Sequence, residues 1–299
     1  MRNLLYLSLS LTTLLLAACG SDSKKSSTLP VDSKERISAD FLRNVIANET
    51  LDRGFLDRAL YTYDELDHAC RDSIVRYASS VIDGPMIEGV QIIPEAERCE
   101  IDYDRGAKFN VLSGSIARTS YIGIHIVDDM VYDLNGYELD FKDLVLEIEG
   151  KAFTLNGRIH QPHAYEDQNT SSDNFSIRDD QGVLYRFSDL KRALSADEFA
   201  TTQPYAMQGQ LELSNIDQPY TVKFDMPTPW QIQAPNTLPT AGELKITDVS
   251  EPRKYLTLKA TTQPEQSLYS AYIPKKTVAR NLNVNWSDIL ISPSQYRLP

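Results

Sequence analysis

The sequence predicts a mainly β protein, α+β overall: an antiparallel sheet or sandwich of repeated β-hairpins preceded by a short N-terminal helical segment. Three observations predict it. From about residue 88 apolar and polar residues alternate with period two, as where Ile122, Ile124 and Ile126 are set between Tyr121, Gly123, His125 and Val127, the pattern of a strand with one core face. A unit also recurs. Gly209-Gln210-Leu211-Glu212-Leu213, closing at Pro219, matches Gly242-Glu243-Leu244-Lys245-Ile246, closing at Pro252, and each copy runs on into a second strand, so 209–225 and 242–258 read as two copies of one hairpin. Finally, turn residues separate short apolar runs with no helices between them, which excludes a parallel α/β sheet.

Taken in chain order, residues 1–18 read as a secretory signal peptide, with Arg2, the apolar run Leu4 to Leu16, and the small residues Ala17 and Ala18 ahead of Cys19. A membrane-spanning helix needs ~20 apolar residues; this run is shorter and is broken by Ser8, Ser10, Thr12 and Thr13. Leu16-Ala17-Ala18-Cys19 resembles the lipobox of bacterial lipoproteins. The resemblance implies that Cys19 is acylated and becomes the mature N-terminus. By the sorting behaviour of such lipoproteins in Gram-negative bacteria, Gly20 and Ser21 imply the outer membrane, on either of its faces. Residues 19–37, rich in Ser and Lys with Pro30 and no apolar pattern, are expected to form a lipidated flexible tether.

The chain carries 42 acidic and 30 basic residues, a formal net charge of −12, and loss of Arg2 with the signal makes it more negative. Such a body is repelled by phosphate backbones, so no nucleic acid is expected as a partner. The expected partners are the membrane, through the lipid anchor, and another envelope protein or a glycan. With Cys19 assigned to lipid, Cys70 and Cys99 remain, and an even remainder in an oxidising compartment is expected to pair. A metal role suits them less, since His68 and Cys70 stand two apart and do not face one partner on a helix.

Residues 38–85 are expected to be helical. Phe41, Leu42, Val45 and Ile46 repeat at helical spacing. Thr62-Tyr63-Asp64-Glu65 has the form of a capping box, and Leu66, Cys70, Ile74, Tyr77, Ala78 and Val81 then trace one face until Gly84-Pro85. Residues 86–299 form the expected β body. Hairpin turns are predicted at Asn135-Gly136, at Glu149-Gly150 and at Asp180-Gln181-Gly182. Gly114 and Gly157 echo the glycine of the repeat, and the unequal spacings exclude a regular solenoid or propeller. The ensemble of signal, helical segment, hairpins with a glycine early in the strand, and a late tryptophan in Asn283-Val284-Asn285-Trp286 resembles uncharacterised Gram-negative bacterial lipoproteins. That resemblance covers most of the mature chain and implies no activity.

Candidate chemistry is sparse. Asp167, Asn169, Ser171 and Asp173, at every second position, resemble the oxygen-ligand series that opens a calcium loop and make Ca²⁺ the one candidate cofactor, although Ser172 and Arg178 depart from that loop's glycine and glutamate. His160 and His163, with Glu166 nearby, lack the helix that sets two imidazoles on one face in zinc enzymes. No nucleophile elbow, P-loop or dinucleotide fingerprint occurs, which weighs against an enzyme and assigns no catalytic residue. Trp230, in the proline-marked stretch Met226 to Pro235, is the candidate exposed aromatic for stacking on a sugar or anchoring a partner, with a place in the core as the competing reading. The expected function is a noncatalytic binding or structural component of the cell envelope. The alternative is a lipid-anchored hydrolase or carbohydrate-binding protein acting on polysaccharide or peptidoglycan.

Overall fold

The structure is a computed structural model and describes residues 33–51, 53–70, 74–80, 86–92, 99–103, 107–127, 130–161, 170–194, 202–216, 219–233 and 238–296. The expected signal peptide, Cys19, most of the expected tether, Asp167 and Asn169 lie outside the described residues.

Two helices come first, α1 (Ser33–Glu49) and α2 (Phe55–Ala69). The described strands follow as β1 (Ile74–Ser80), β2 (Met86–Ile92), β3 (Cys99–Tyr103), β4 (Ala107–Val127), β5 (Met130–Ile148), β6 (Lys151–Gln161), β7 (Thr170–Ser172), β8 (Phe175–Arg178), β9 (Leu184–Leu194), β10 (Thr202–Ser214), β11 (Tyr220–Gln233), β12 (Pro239–Asp248), β13 (Tyr255–Ala260), β14 (Gln266–Ile273) and β15 (Lys276–Asn285). They make one antiparallel sheet that runs β1-β2-β4-β5-β6-β7-β9-β10-β11-β12-β13-β14-β15, with β3 beside β4 and β8 between β6 and β9.

That path, laid flat, would span roughly 60 Å at the usual strand spacing, several times the ~10 Å diameter of a helix. Yet the helix pair touches strands far apart along it. Phe55 packs against Phe153 of β6 and Tyr185 of β9, Trp230 of β11 donates to Thr50 Oγ1, Arg43 lies over the ring of Tyr269 on β14, and Asn48 donates to the Ile289 carbonyl. The sheet therefore curls around the helices. α1 is the plug of this bowl: every described side chain from Phe41 to Thr50 except Asn44 is buried, as expected of a helix enclosed on all sides. Inward-facing Phe141, Phe175, Phe187 and Phe224 form a cross-strand aromatic row with centroids 6.3 to 6.5 Å apart.

The recurrent glycines explain the curl. Gly114 (φ 107°), Gly157 (φ 109°) and Gly242 (φ 120°) adopt a backbone that L side chains rarely take. They sit at or next to register shifts between strands: Gly114 opposite the irregular β4–β5 stretch, Gly157 at the β5–β6 shift, and Gly242 beside the β11–β12 shifts. Such bulges increase local twist and bend the strand. Gly209, in the other repeat copy, lies at the equivalent shifts of β10 against β9 and β11. The repeat is thus a hairpin with a bend at its opening glycine. The pairings Leu211↔Val222, Leu244↔Leu258 and Ile246↔Leu256 set its apolar residues on the buried face.

Two expectations are corrected. The helical segment ends at Ala69 rather than near residue 85, and Ile74–Ser80 is strand β1, paired from Ile74↔Ile92 to Ser80↔Met86. Leu66, Cys70 and Ile74 satisfy helical spacing, but Ile74-Val75 and Tyr77 also suit a strand, and pairing with β2 decides between them. Asn135-Gly136 is not a turn. It lies inside β5, which pairs with β4 continuously from Ser115↔Lys142 out to Val127↔Met130. The turns at Glu149-Gly150 and at Asp179 to Val183 are present, the second closed by Gly182 N–H donating to the Asp179 carbonyl.

Cys70, at the C-terminal cap of α2, forms a disulfide with Cys99, the first residue of β3, with Cα atoms 5.0 Å apart and a sequence separation of 29. The bridge fixes the exit of α2 to the sheet. Replacing both cysteines with serine is expected to lower stability by about 2 to 4 kcal/mol, measured as a shift in urea midpoint. A variant whose midpoint matches the native chain would show that the bridge constrains nothing.

Candidate functional site

Where α1 enters the bowl, the packing is incomplete. A cleft of about 420 Å³ lies between Ser38, Ala39 and Leu42 of α1 and a wall of Val222, Ile246, Leu256, Ala271 and Ile273 from β11, β12, β13 and β14. Period-two alternation puts those residues on the inner face of each strand. Small side chains, Ala39 from the helix and Ala271 from the sheet, leave the space unfilled. The volume falls within the usual ~300–1,000 Å³ of small-molecule sites, which are lined mainly by apolar groups with a few polar ones.

The residues of the lining that carry polar groups are Ser38, Tyr220, Asp248, Lys254, Tyr255 and Tyr272. The Tyr220 hydroxyl is buried without a hydrogen-bond partner among the described residues, and burial pushes its pKa well above the usual phenol range. An orphaned hydroxyl of this kind costs about 1 to 3 kcal/mol unless something satisfies it. The two charges at the rim are already engaged. Lys254 Nζ lies 3.0 Å from Glu251, and Asp248 Oδ1 accepts from the backbone N–H groups of Ser250 (2.8 Å) and Glu251 (3.0 Å). The cleft therefore presents an apolar trough with a charge-compensated edge.

A second cleft, about 570 Å³, opens at the corner between the helices among Asn48, Arg53, Arg58, Tyr103, Asn110 and Glu147. It is more polar, and Arg58 in it is committed to structure: its guanidinium lies 4.7 Å from the Tyr103 ring centroid and donates to the carbonyls of Gly54 (2.9 Å) and Arg53.

Among the described residues the most perturbed carboxyl is Glu49, at the end of α1. It is 2% exposed, and burial pushes its pKa up to about 7. A carboxyl titrating near neutrality is what general acid–base catalysis uses, but this one faces neither cleft. Oε1 accepts from Phe55 N–H at 2.7 Å and Oε2 from Leu56 N–H at 3.1 Å, so Glu49 caps the N-terminus of α2 from outside that helix. This corrects the expected capping box: Thr62 lies inside α2, where its hydroxyl donates to the Arg58 carbonyl. No sequence pattern signals the Glu49 cap, because it depends on the corner at Gly54.

Among the described residues, those selected from the sequence are not brought together. Trp230 is 0% exposed, set T-shaped against Trp286 with centroids 5.8 Å apart. Register shifts around Thr228 absorb Pro227 and Pro229 and turn the indole inward, so Trp230 is a core residue with no exposed face for stacking. Ser171 belongs to β7, paired with His160 and Lys191, and Asp173 is exposed in the bend before β8. Ser172 and Asn174 hydrogen-bond to the backbone of Arg158. Among the described residues no group of three or more His, Cys, Asp or Glu side chains could hold a metal ion. The cleft residues were missed because they come from five separate elements and show only ordinary alternation.

Neither a known protein family, a curated protein nor a solved structure matches this chain. The cleft is accordingly interpreted from its own residues.

Proposed function

We propose that the chain is a noncatalytic binding component of the cell envelope, held at the outer membrane by acylation of Cys19, with the cleft beside α1 as its binding site. The observation that carries this is the unfilled apolar trough of about 420 Å³ between α1 and the strands β11 to β14. The carbohydrate-binding alternative has one supporting observation, that Asn48, Asn110 and Tyr103 share the lining of the second cleft. For hydrolysis the raised carboxyl of Glu49 is a poor candidate, since both its oxygens are occupied and enclosed.

The purified mature chain is expected to bind N-phenyl-1-naphthylamine, a neutral fluorescent probe, saturably at one site. Ala39→Phe, which fills the trough from the helix side, should weaken that binding at least tenfold, with Ile273→Trp as a second filling variant if the first folds poorly. Absence of saturable binding would overturn the reading. The anchor is tested separately: Cys19→Ala should move the protein from the membrane fraction to the soluble one, and unchanged fractionation would remove the lipoprotein assignment.

A further inference from the structure

We infer that the chain forms a twofold-symmetric dimer, in which the free edge of β1 pairs antiparallel with β1 of a second copy and one sheet continues into the other. This surface is separate from the cleft and does not depend on the binding reading.

The first argument is a contrast between edges. Among the described strands, β1, β3 and β15 have a neighbour on one side only. An edge strand presents unpaired N–H and C=O groups that template pairing with another chain, and natural sheets blunt such edges with bulges, charges or very short strands. β15 is blunted: its register against β14 shifts twice, Asn281 takes a φ of 46°, and Arg280 is exposed. β3 is five residues long and carries the exposed acids Glu100 and Asp102, both paired with Lys108. β1 runs seven residues in unbroken register, from Ile74↔Ile92 to Ser80↔Met86, with no proline and no acid.

The second argument is the outer face of β1. Val90 and Ile92 are buried, so their partners Arg76 and Ile74 are on the inner face and Val75 and Tyr77 on the outer one. Val75 is 52% and Tyr77 46% exposed, two of the three large apolar side chains exposed among the described residues. The Tyr77 ring lies back over Gly89 of β2, where an added Cβ would stand 1.8 Å from its Cζ. The ring is thereby drawn away from the free backbone edge.

The third argument is charge, and it selects the occupant. Behind β1 the outer positions are Ile87, Gly89 and Gln91 of β2 and Ser115, Ala117 and Thr119 of β4, none of them charged. Two copies that each carry a formal net charge of −12 repel one another, so a face without charge suits their contact. The strand is also self-complementary. With the twofold axis at Tyr77, antiparallel pairing sets Val75 opposite Ser79 and Arg76 opposite Ala78 of the second copy, and Tyr77 reaches Val75 of the second copy on the diagonal. An axis at Arg76 would instead oppose two guanidinium groups.

The test is sedimentation velocity of the chain from residue 19 carrying Cys19→Ala, which keeps the anchor out of the association. At about 100 µM, where even a weak interface is populated, the expected mass is that of a dimer. Tyr77→Lys and Val75→Lys, which charge the edge, should each weaken the dimer at least tenfold, and either serves if the other folds poorly by its urea midpoint. Val249→Lys, at the third exposed apolar side chain, should leave the dimer unchanged. Oxidised Tyr77→Cys should cross-link two copies, because directly opposed Cα atoms lie ~4.5–5.5 Å apart, and Val75→Cys should not. A monomer at every concentration overturns the inference and leaves the edge to an extended segment of a different protein. A dimer that survives the lysine substitutions on β1, or that Val249→Lys breaks equally, puts the interface elsewhere and overturns it as well. Cross-linking through Val75→Cys in place of Tyr77→Cys overturns the register.

Discussion

Gly157→Ala and Gly242→Ala are each expected to destabilise the protein by about 3 kcal/mol or more, while Gly150→Ala costs only about 1 kcal/mol. All three glycines have positive φ, at 109°, 120° and 80°, so each substitution carries the strain of an L residue in that region, roughly 1 to 3 kcal/mol. They differ in what a methyl group would meet. At Gly150, in the turn between β5 and β6, nothing lies within 4 Å. At Gly242 the new carbon would stand 2.6 Å from the Pro229 carbonyl oxygen and 2.7 Å from the Trp230 ring, and at Gly157 it would run into the backbone of Asn174. Backbone cannot step aside as a flexible side chain does, so the neighbouring strand must shift and the bend must open. Urea denaturation of the three variants checks this. Equal losses at all three positions would mean that φ alone matters and that the close strand approach at the bends contributes nothing to the curl.

The repeated hairpins were the most legible part of the fold. The sequence repeat exposes Gly209 and Gly242 by their matching strands and prolines, with Gly114 and Gly157 as fainter copies, because a backbone need for glycine leaves a residue-level mark. The bridge between Cys70 and Cys99 was legible for a similar reason, since few pairings are open to two cysteines. What the sequence hides is decided between elements. The stretch from Leu66 to Val81 satisfies helical spacing, yet from Ile74 onward its partner is Met86–Ile92. Asn135-Gly136 has the composition of a turn, but the long ladder of β4 with β5 holds it extended. Trp230 follows two prolines and looks exposed until the register shifts of β11 are known. The cleft is more hidden still. Ala39, Val222, Leu256 and Ala271 look like ordinary interior residues, and only the curl of the sheet around α1 leaves a gap between them.

Glu49 supplies the other large effect. Between its unfolded value of 4.5 and its folded value of about 7, the folded chain holds a proton that the unfolded chain has released. The folded state thus binds more protons in this window, and its stability falls as pH rises through it. The contribution is fully present below about pH 4.5 and lost above about pH 7. At 1.36 kcal/mol per pK unit it amounts to roughly 3 kcal/mol. Glu49→Gln removes this titration, so its stability should change by about 3 kcal/mol less than that of the native chain between pH 5 and pH 8. At pH 5 the variant should be less stable, because an amide offers one acceptor where Phe55 N–H and Leu56 N–H need two. At pH 8 the two proteins should converge, since the native chain then carries a buried charge that the variant lacks. Glu49→Ala leaves both N–H groups without an acceptor and opens a cavity, and should cost roughly 3 to 5 kcal/mol at pH 5. Urea midpoints at the two pH values measure all of this. A native chain whose stability is equal at pH 5 and pH 8, with the Glu49→Gln variant behaving in parallel, would mean that the carboxylate stays ionised inside the fold, its charge held by Arg58 and the two N–H groups against the cost of burial.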